Sequence, residues 1–205
     1  IYHLFDTRAA PQAEELKKTL NAGLIHQETG CMLHASYWPA KLLWLSRNRP
    51  EEFRRVKRWV SFGEFLFGKI AGRERSSVSM VSGSGLWDQL HCRYHEGVLA
   101  ALPVEREQLA PEEELDEPIT ELNAEFRARW PRLHGIPWFP ALGDGACNNM
   151  GTACVSPDCW ALMVGTSGAM RVVCDRHTTP PPGLWLYRVD RKRFISGGAL
   201  SNGGE

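Results

Sequence analysis

The chain has 205 residues, with 24 Lys and Arg balanced by 24 Asp and Glu. That length supports one domain with a substantial core, or one domain plus part of another, and a formal net charge of zero argues against a role on nucleic acid or an anionic membrane surface. No apolar run approaches the roughly 20 residues a bilayer-spanning helix needs, and no charged-then-apolar leader opens the chain, so a soluble, cytoplasmic protein is expected.

Ile1 to Phe5 reads as the end of a strand, and Asp6-Thr7-Arg8 as the polar turn after it. Pro11 suits a first helical turn, Leu16, Leu20 and Leu24 recur every four residues, and Glu14 and Glu15 precede Lys17 and Lys18 as the helix dipole favours. One helix is therefore expected to run almost to Gly30. Cys31 to Tyr37 follows as a loop or short strand carrying His34 and Ser36, and Trp38 to Leu45 returns to helical periodicity until Asn48-Arg49-Pro50 breaks it. Pro50 opens a short helix with Phe53 and Val56 inward. Ser61-Phe62-Gly63-Glu64 has capping-box spacing, and Phe62, Phe65, Leu66 and Ile70 form one apolar stripe ending at Gly72. Ser76 to Ser84 is serine-rich, with Gly85-Leu86-Trp87-Asp88 as the turn that follows, and Tyr94 to Leu102 reads as a helix. Leu109 to Glu125 is an acidic surface stretch, and Phe126 to His134 a basic-aromatic link. Helices are expected before residue 135 and strands after it.

Ile136 to Leu142 is an apolar run of strand length, broken by Gly143-Asp144-Gly145 where a helix over Ala146 to Gly151 could begin. In a strand-turn-helix of that kind Asp144 projects beyond the strand end, beside the first helical N–H groups, and is placed to act as a base. The bland alternative is a plain N-cap. Leu162 to Val164 and Ala169 to Cys174 are strand-like, and Gly165-Thr166-Ser167-Gly168 between them makes a hairpin whose N–H groups and hydroxyls suit phosphate oxygens, or an ordinary turn. Gly183 to Val189 and Arg193 to Ile195 form a second hairpin about Asp190-Arg191. Cysteines 31, 92, 147, 154, 159 and 174 lack paired C-x-x-C spacing and are expected as reduced thiols; Cys154, Cys159 and His177 fit no common zinc pattern, and no metal ligands are assigned.

Taken in order, Asp6-Thr7-Arg8, Thr29-Gly30 with His34 and Pro39-Ala40-Lys41-Leu42-Leu43-Trp44, Ser82-Gly83-Ser84-Gly85-Leu86-Trp87-Asp88, Gly143-Asp144-Gly145, Gly165-Thr166-Ser167-Gly168, and Gly197-Gly198-Ala199 with Asn202 resemble the FGGY family of carbohydrate kinases. The resemblance implies an α/β, actin-like ATPase (ribonuclease H-like) fold, present in part. Residues 1–151 would be the helical later part of the N-terminal, sugar-binding domain, and 152–205 the opening strands of the C-terminal, nucleotide-binding domain. The family's first phosphate-binding hairpin and its adenine-binding glycines would lie outside the chain, so this would be a central fragment, inactive or nearly so alone. It implies transfer of the γ-phosphoryl of ATP, with Mg2+, to a sugar or sugar-acid hydroxyl, and it allows a homodimer.

By the same resemblance Asp144 is the catalytic base, His34, Ser36, Asp144 and Gly145 meet the sugar, and Gly165, Thr166, Ser167, Gly198 and Asn202 meet the nucleotide. Many members carry an amide at the Gly145 position and an aromatic at some equivalents of Ser36. The Asp144-Gly145 pair, Asn148-Asn149 and the His34 loop look more like the gluconate-kinase branch, and no cationic partner for an aldonate carboxylate is evident in the sequence. Two other readings stay open: a non-catalytic actin-like module acting through protein association, and a hydrolase using Asp144 with His134 or His177.

Overall fold

The computed structural model describes residues 3, 5–113, 118–165 and 168–200, so the strand end expected over Ile1 to Phe5 falls largely outside the described residues. The leucine-spaced segment is two helices rather than one: α1 (Ala10–Thr19) and α2 (Ala22–Thr29). Asn21 makes the break, because its side chain accepts from Leu24 N at 3.1 Å and caps the second helix. The axis therefore turns before Leu24, which is left exposed while Leu16 and Ile25 are buried.

Pro39 and Pro50 sit in the first turns of α3 (Trp38–Asn48) and α4 (Pro50–Arg55). Helix α5 (Phe62–Ala71) carries both arms of its capping box: Ser61 Oγ accepts from Glu64 N at 3.2 Å, and Ser61 N donates to Glu64 Oε2 at 2.5 Å. Its packed face differs from the expected stripe. Glu64, Phe67 and Ile70 are buried, whereas Phe62, Phe65 and Leu66 are exposed. A carboxylate already satisfied by the Ser61 backbone can face inward without an orphaned charge, so the capping turn itself is packed.

The serine-rich stretch folds as β1 (Ser76–Ser77) and α6 (Val78–Ser82), and β2 (Trp87–Asp88) pairs antiparallel with β3 (Arg93–Tyr94) ahead of α7 (Glu96–Ala100). β4 (Glu112–Glu113) pairs in parallel with β1. The acidic stretch is anchored rather than wholly superficial, since Leu109, Ala110 and Leu122 are buried. The first core joins Leu16, Ile25, Leu42, Val78, Leu86, Trp87, Val98 and Leu109. Trp87, fully buried, meets Tyr94 edge-on at 5.4 Å.

After α8 (Ala124–Arg129), the run Ile136 to Leu142 is not the expected strand. Pro137 and Pro140 remove two ladder donors, and the segment makes an isolated bridge, Ile119 to Trp138, before α9 (Asp144–Gly151). Both expected hairpins form: β5 (Trp160–Val164) with β6 (Gly168–Cys174), and β7 (Trp185–Arg188) with β8 (Phe194–Leu200), in one antiparallel sheet of order β5-β6-β8-β7. Asp190 shapes the second turn, its Oδ1 accepting from Lys192 N and Arg193 N at 2.8 and 2.7 Å. One face of the sheet is covered by α9 through Ala146, Val173, Val189 and Ile195.

Sheet and helices are stitched by Leu186 N donating to Gly30 O at 2.9 Å, by Arg188 N donating to Ser82 Oγ at 2.9 Å, and by the Tyr37 and Tyr187 hydroxyls at 2.6 Å. Cys154 and Cys159 are joined in a disulfide between α9 and β5, which corrects the expectation of thiols throughout; the chain reversal after α9 brings their Cα atoms to 4.9 Å.

Candidate functional site

Asp144 is the first residue of α9, and α6 sets where that helix starts. Ser77 Oγ donates to Ala141 O at 2.6 Å, and Gly143 N donates to Ser79 Oγ at 3.2 Å, so the irregular entry is held in place without a strand. Gly145 N donates to Asp144 Oδ1 at 2.7 Å, orienting an exposed carboxylate at the positive end of the helix. The far end of α9 is pinned by Asn149, which is fully buried and donates through Nδ2 to Arg171 O at 3.3 Å and Cys154 O at 3.1 Å. The helix that begins at Asp144 is thus held at its start by α6 and at its end by the sheet.

Across this seam Tyr187 stacks on Trp185 with centroids 4.5 Å apart. Burial pushes the Tyr187 hydroxyl well above the ordinary tyrosine range, with Cys31, Tyr37 and the Asp144 carboxylate acting in the same direction. Asp144 therefore acts electrostatically on Tyr187, the sheet member of the tyrosine pair. Ser36 precedes Tyr37 in the turn that begins at His34, where Ser36 N donates to His34 Nδ1 at 3.2 Å and the two side chains lie 3.0 Å apart. Ser36 is half-buried beside the seam, and His34 is exposed on the outer side of the turn.

Among the nucleotide candidates, Gly165 follows the end of β5, and Gly198 on β8 pairs with Met170 on β6. Thr166, Ser167 and Asn202 lie outside the described residues. Strand alternation puts Gly198 in phase with Met170, on the face away from α9, while Ala169, Arg171 and Val173 share the covered face. Arg171 was missed from sequence. The available signal was an arginine on the inward phase of a strand whose neighbours on that phase are small or apolar, a place where a charge needs a reason.

The whole arrangement is matched by the ligand-bound xylulose kinase of Lactobacillus acidophilus, with a TM-score of 0.92 and 25% identity over 98% of this chain and 41% of that one. The gluconate kinase of the same species gives a TM-score of 0.91 at 24% identity, with the same coverage. The likeness defines the class, an actin-like ATPase fold present in part. A family model for the N-terminal domain of the FGGY family of carbohydrate kinases matches residues 3–151, and the chain belongs to that family. Among curated relatives, the gluconokinase of Bacillus subtilis is 23% identical over 200 residues, covering 97% of this chain and 39% of that protein. A xylulose kinase of Streptomyces coelicolor is 28% identical over 185 residues, covering 87% and 37%. The chain spans about two fifths of the length of the relatives it matches.

Proposed function

We propose that the protein to which this chain belongs transfers the γ-phosphoryl of ATP to a hydroxyl of gluconate or a closely related acceptor, with Asp144 as the general base. On this reading residues 1–151 continue the sugar-binding domain and 152–205 open the nucleotide-binding domain. The observation that carries it is the Asp144 carboxylate, exposed at the head of α9 and oriented by the Gly145 N–H, at the seam between the helices and the sheet.

The acceptor hydroxyl gives its proton to Asp144 as its oxygen attacks the γ-phosphorus, and the displaced ADP leaves in line. Such a transfer depends chiefly on positioning and on charge placed around the phosphoryl group, with a base contributing about 10²- to 10⁴-fold. Gly165 and Gly198, with Thr166, Ser167 and Asn202, are assigned to the nucleotide, and Ser36, His34 and Gly145 to the acceptor. ATP enters as its Mg2+ complex. The chain by itself is expected to be inactive or nearly so.

The test is coupled ADP release by the full-length protein against gluconate, xylulose, ribulose, glycerol and fuculose, with Asp144→Asn alongside. Release that depends on one acceptor and drops by about 10²-fold or more in the variant supports the reading and names the acceptor. No ADP release with any acceptor in the panel would put the non-catalytic association module first, and undiminished activity in Asp144→Asn would remove Asp144 as the base.

A further inference from the structure

Arg171 is 7% exposed, in the middle of β6 and on the face that α9 covers. Its Nε and Nη1 are buried without a hydrogen-bond acceptor, and none of the described carboxylates pairs with it. The other arginine buried in this sheet, Arg188, is fully engaged: its guanidinium donates to Gln89 O and Arg191 O and lies 4.0 Å over the Phe194 ring. Nor is the bare guanidinium a consequence of crowding. Its chain runs beside Gly197, its cross-strand partner, where a Cβ would lie 3.0 Å from Arg171 Cγ and 2.9 Å from Trp185 Cη2. Its head lies against Gly145, where a Cβ would sit 2.8 Å from Nε. Two glycines thus leave room for this side chain, with the Trp185 ring 5.9 Å from Cζ as its lateral wall.

A buried cation with free donors is strongly unfavourable unless an anion completes it. An anion that completes it must reach the guanidinium beside the Gly145 backbone, next to Asp144. Resting on the kinase reading, we propose that Arg171 receives the carboxylate of the acceptor, so that this protein takes a sugar acid in preference to a neutral sugar of the same length. A carboxylate docks on two parallel N–H donors of a guanidinium. With that end fixed at Arg171, the hydroxyl chain extends past Gly145 towards Asp144. The same contact explains the glycine at 145: a larger side chain there and the arginine at 171 would compete for one volume.

The phosphoryl group in transfer is the other anion this guanidinium could meet. The register of the sheet favours the acceptor carboxylate. Arg171 and Gly197 lie on the covered face with Asp144, whereas Gly198, assigned to the nucleotide, faces the other side in phase with Met170.

The experiment compares gluconate with glucitol, which differs only in carrying CH2OH for the carboxylate, as ligands of the full-length protein by calorimetry. Binding is read alongside turnover for wild type, Arg171→Met, Arg171→Lys and Gly145→Gln. Wild type should bind gluconate about 10- to 100-fold more tightly than glucitol, the range expected of a charge-assisted pair. Arg171→Met and Gly145→Gln should erase that preference, and Arg171→Lys should restore part of it. Arg171→Met should unfold at no lower a temperature than wild type, and if it fails to fold, Gly145→Gln and Arg171→Lys give the same answer. A wild type with no preference, or a preference that survives in Arg171→Met, overturns the proposal whatever the turnover shows. Equal loss of kcat on acid and neutral acceptors, with gluconate binding intact, also overturns it and assigns Arg171 to the phosphoryl group. Preferential gluconate binding without ADP release in wild type would keep the carboxylate site and sink the kinase reading instead.

Discussion

Two arginines two strands apart in the sheet show how the same side chain can belong to the scaffold or to a ligand. Arg188 on β7 fills a gap between sheet and helices and saturates backbone carbonyls of the Gln89 and Arg191 loops; desolvation lowers its pKa while Cys92, Asp190 and Asp88 act against that. Arg171 on β6 is nearly as deeply placed, and its Nε and Nη1 meet no acceptor among the described residues. The fold gains from the first arginine and tolerates the second. Where a buried donor is satisfied decides what a sequence position is for, more than its burial does.

The comparison can be broken most severely at Arg188. Arg188→Met leaves the Gln89 and Arg191 carbonyls without their donor and should cost about 3 to 5 kcal/mol, read from the shift in urea midpoint at constant slope. A loss under about 1 kcal/mol would remove Arg188 from the scaffold. Next in size, Gly197→Ala drives a methyl into Met170 O, Trp185 and Arg171 Cγ. It should destabilise by about 1 to 3 kcal/mol in the same measurement. Arg171→Met should lie at the other end, at least as stable as wild type, because a methionine of similar volume removes an uncompensated charge. Large destabilisation by Arg171→Met would erase the difference between the two residues.

The smallest effect concerns acid. Burial raises the Asp190 carboxyl pKa, but the Arg193 guanidinium and the backbone N–H groups of Lys192 and Arg193 outweigh it, so the group sits below its ordinary range in the folded chain. A depressed carboxylate stabilises the fold above its unfolded pKa, near about 4, and that contribution is lost as pH falls through the folded value. Stability should therefore decline on the acid side of about pH 4, and more shallowly in Asp190→Asn; parallel acid limbs for the two proteins would count against it.

What could be read from sequence was whatever one side chain decides locally. Ser61 and Glu64 announce the start of α5 by spacing alone, Asp190 sits in the turn it stabilises, and both hairpins alternate with period two. The helix start at Asp144 was legible because an apolar run ending in glycine and aspartate marks one, even though the run is no strand. Position in the chain could not say that Asn21 would divide a helix, because its cap competes with a leucine repeat that continues through it. Nor could it show which stripe of α5 is packed, or that Gly145 and Gly197, far apart in sequence, open a volume for one arginine. Those facts exist only once strands are in register.

The sheet's other face has a consequence of a different kind. Trp160, Leu162 and Val164 alternate outward along β5, and Met170 lies across from Leu162, all of them substantially exposed on the side away from α9. β5 is also an outermost strand, so among the described residues its far backbone edge has no partner strand. A strand that is apolar, uncharged and open along one edge is a template for copies of itself. In concentrated solution the colloidal behaviour of this polypeptide will be governed by those four residues, with turbidity rising on warming long before the Trp87 core gives way.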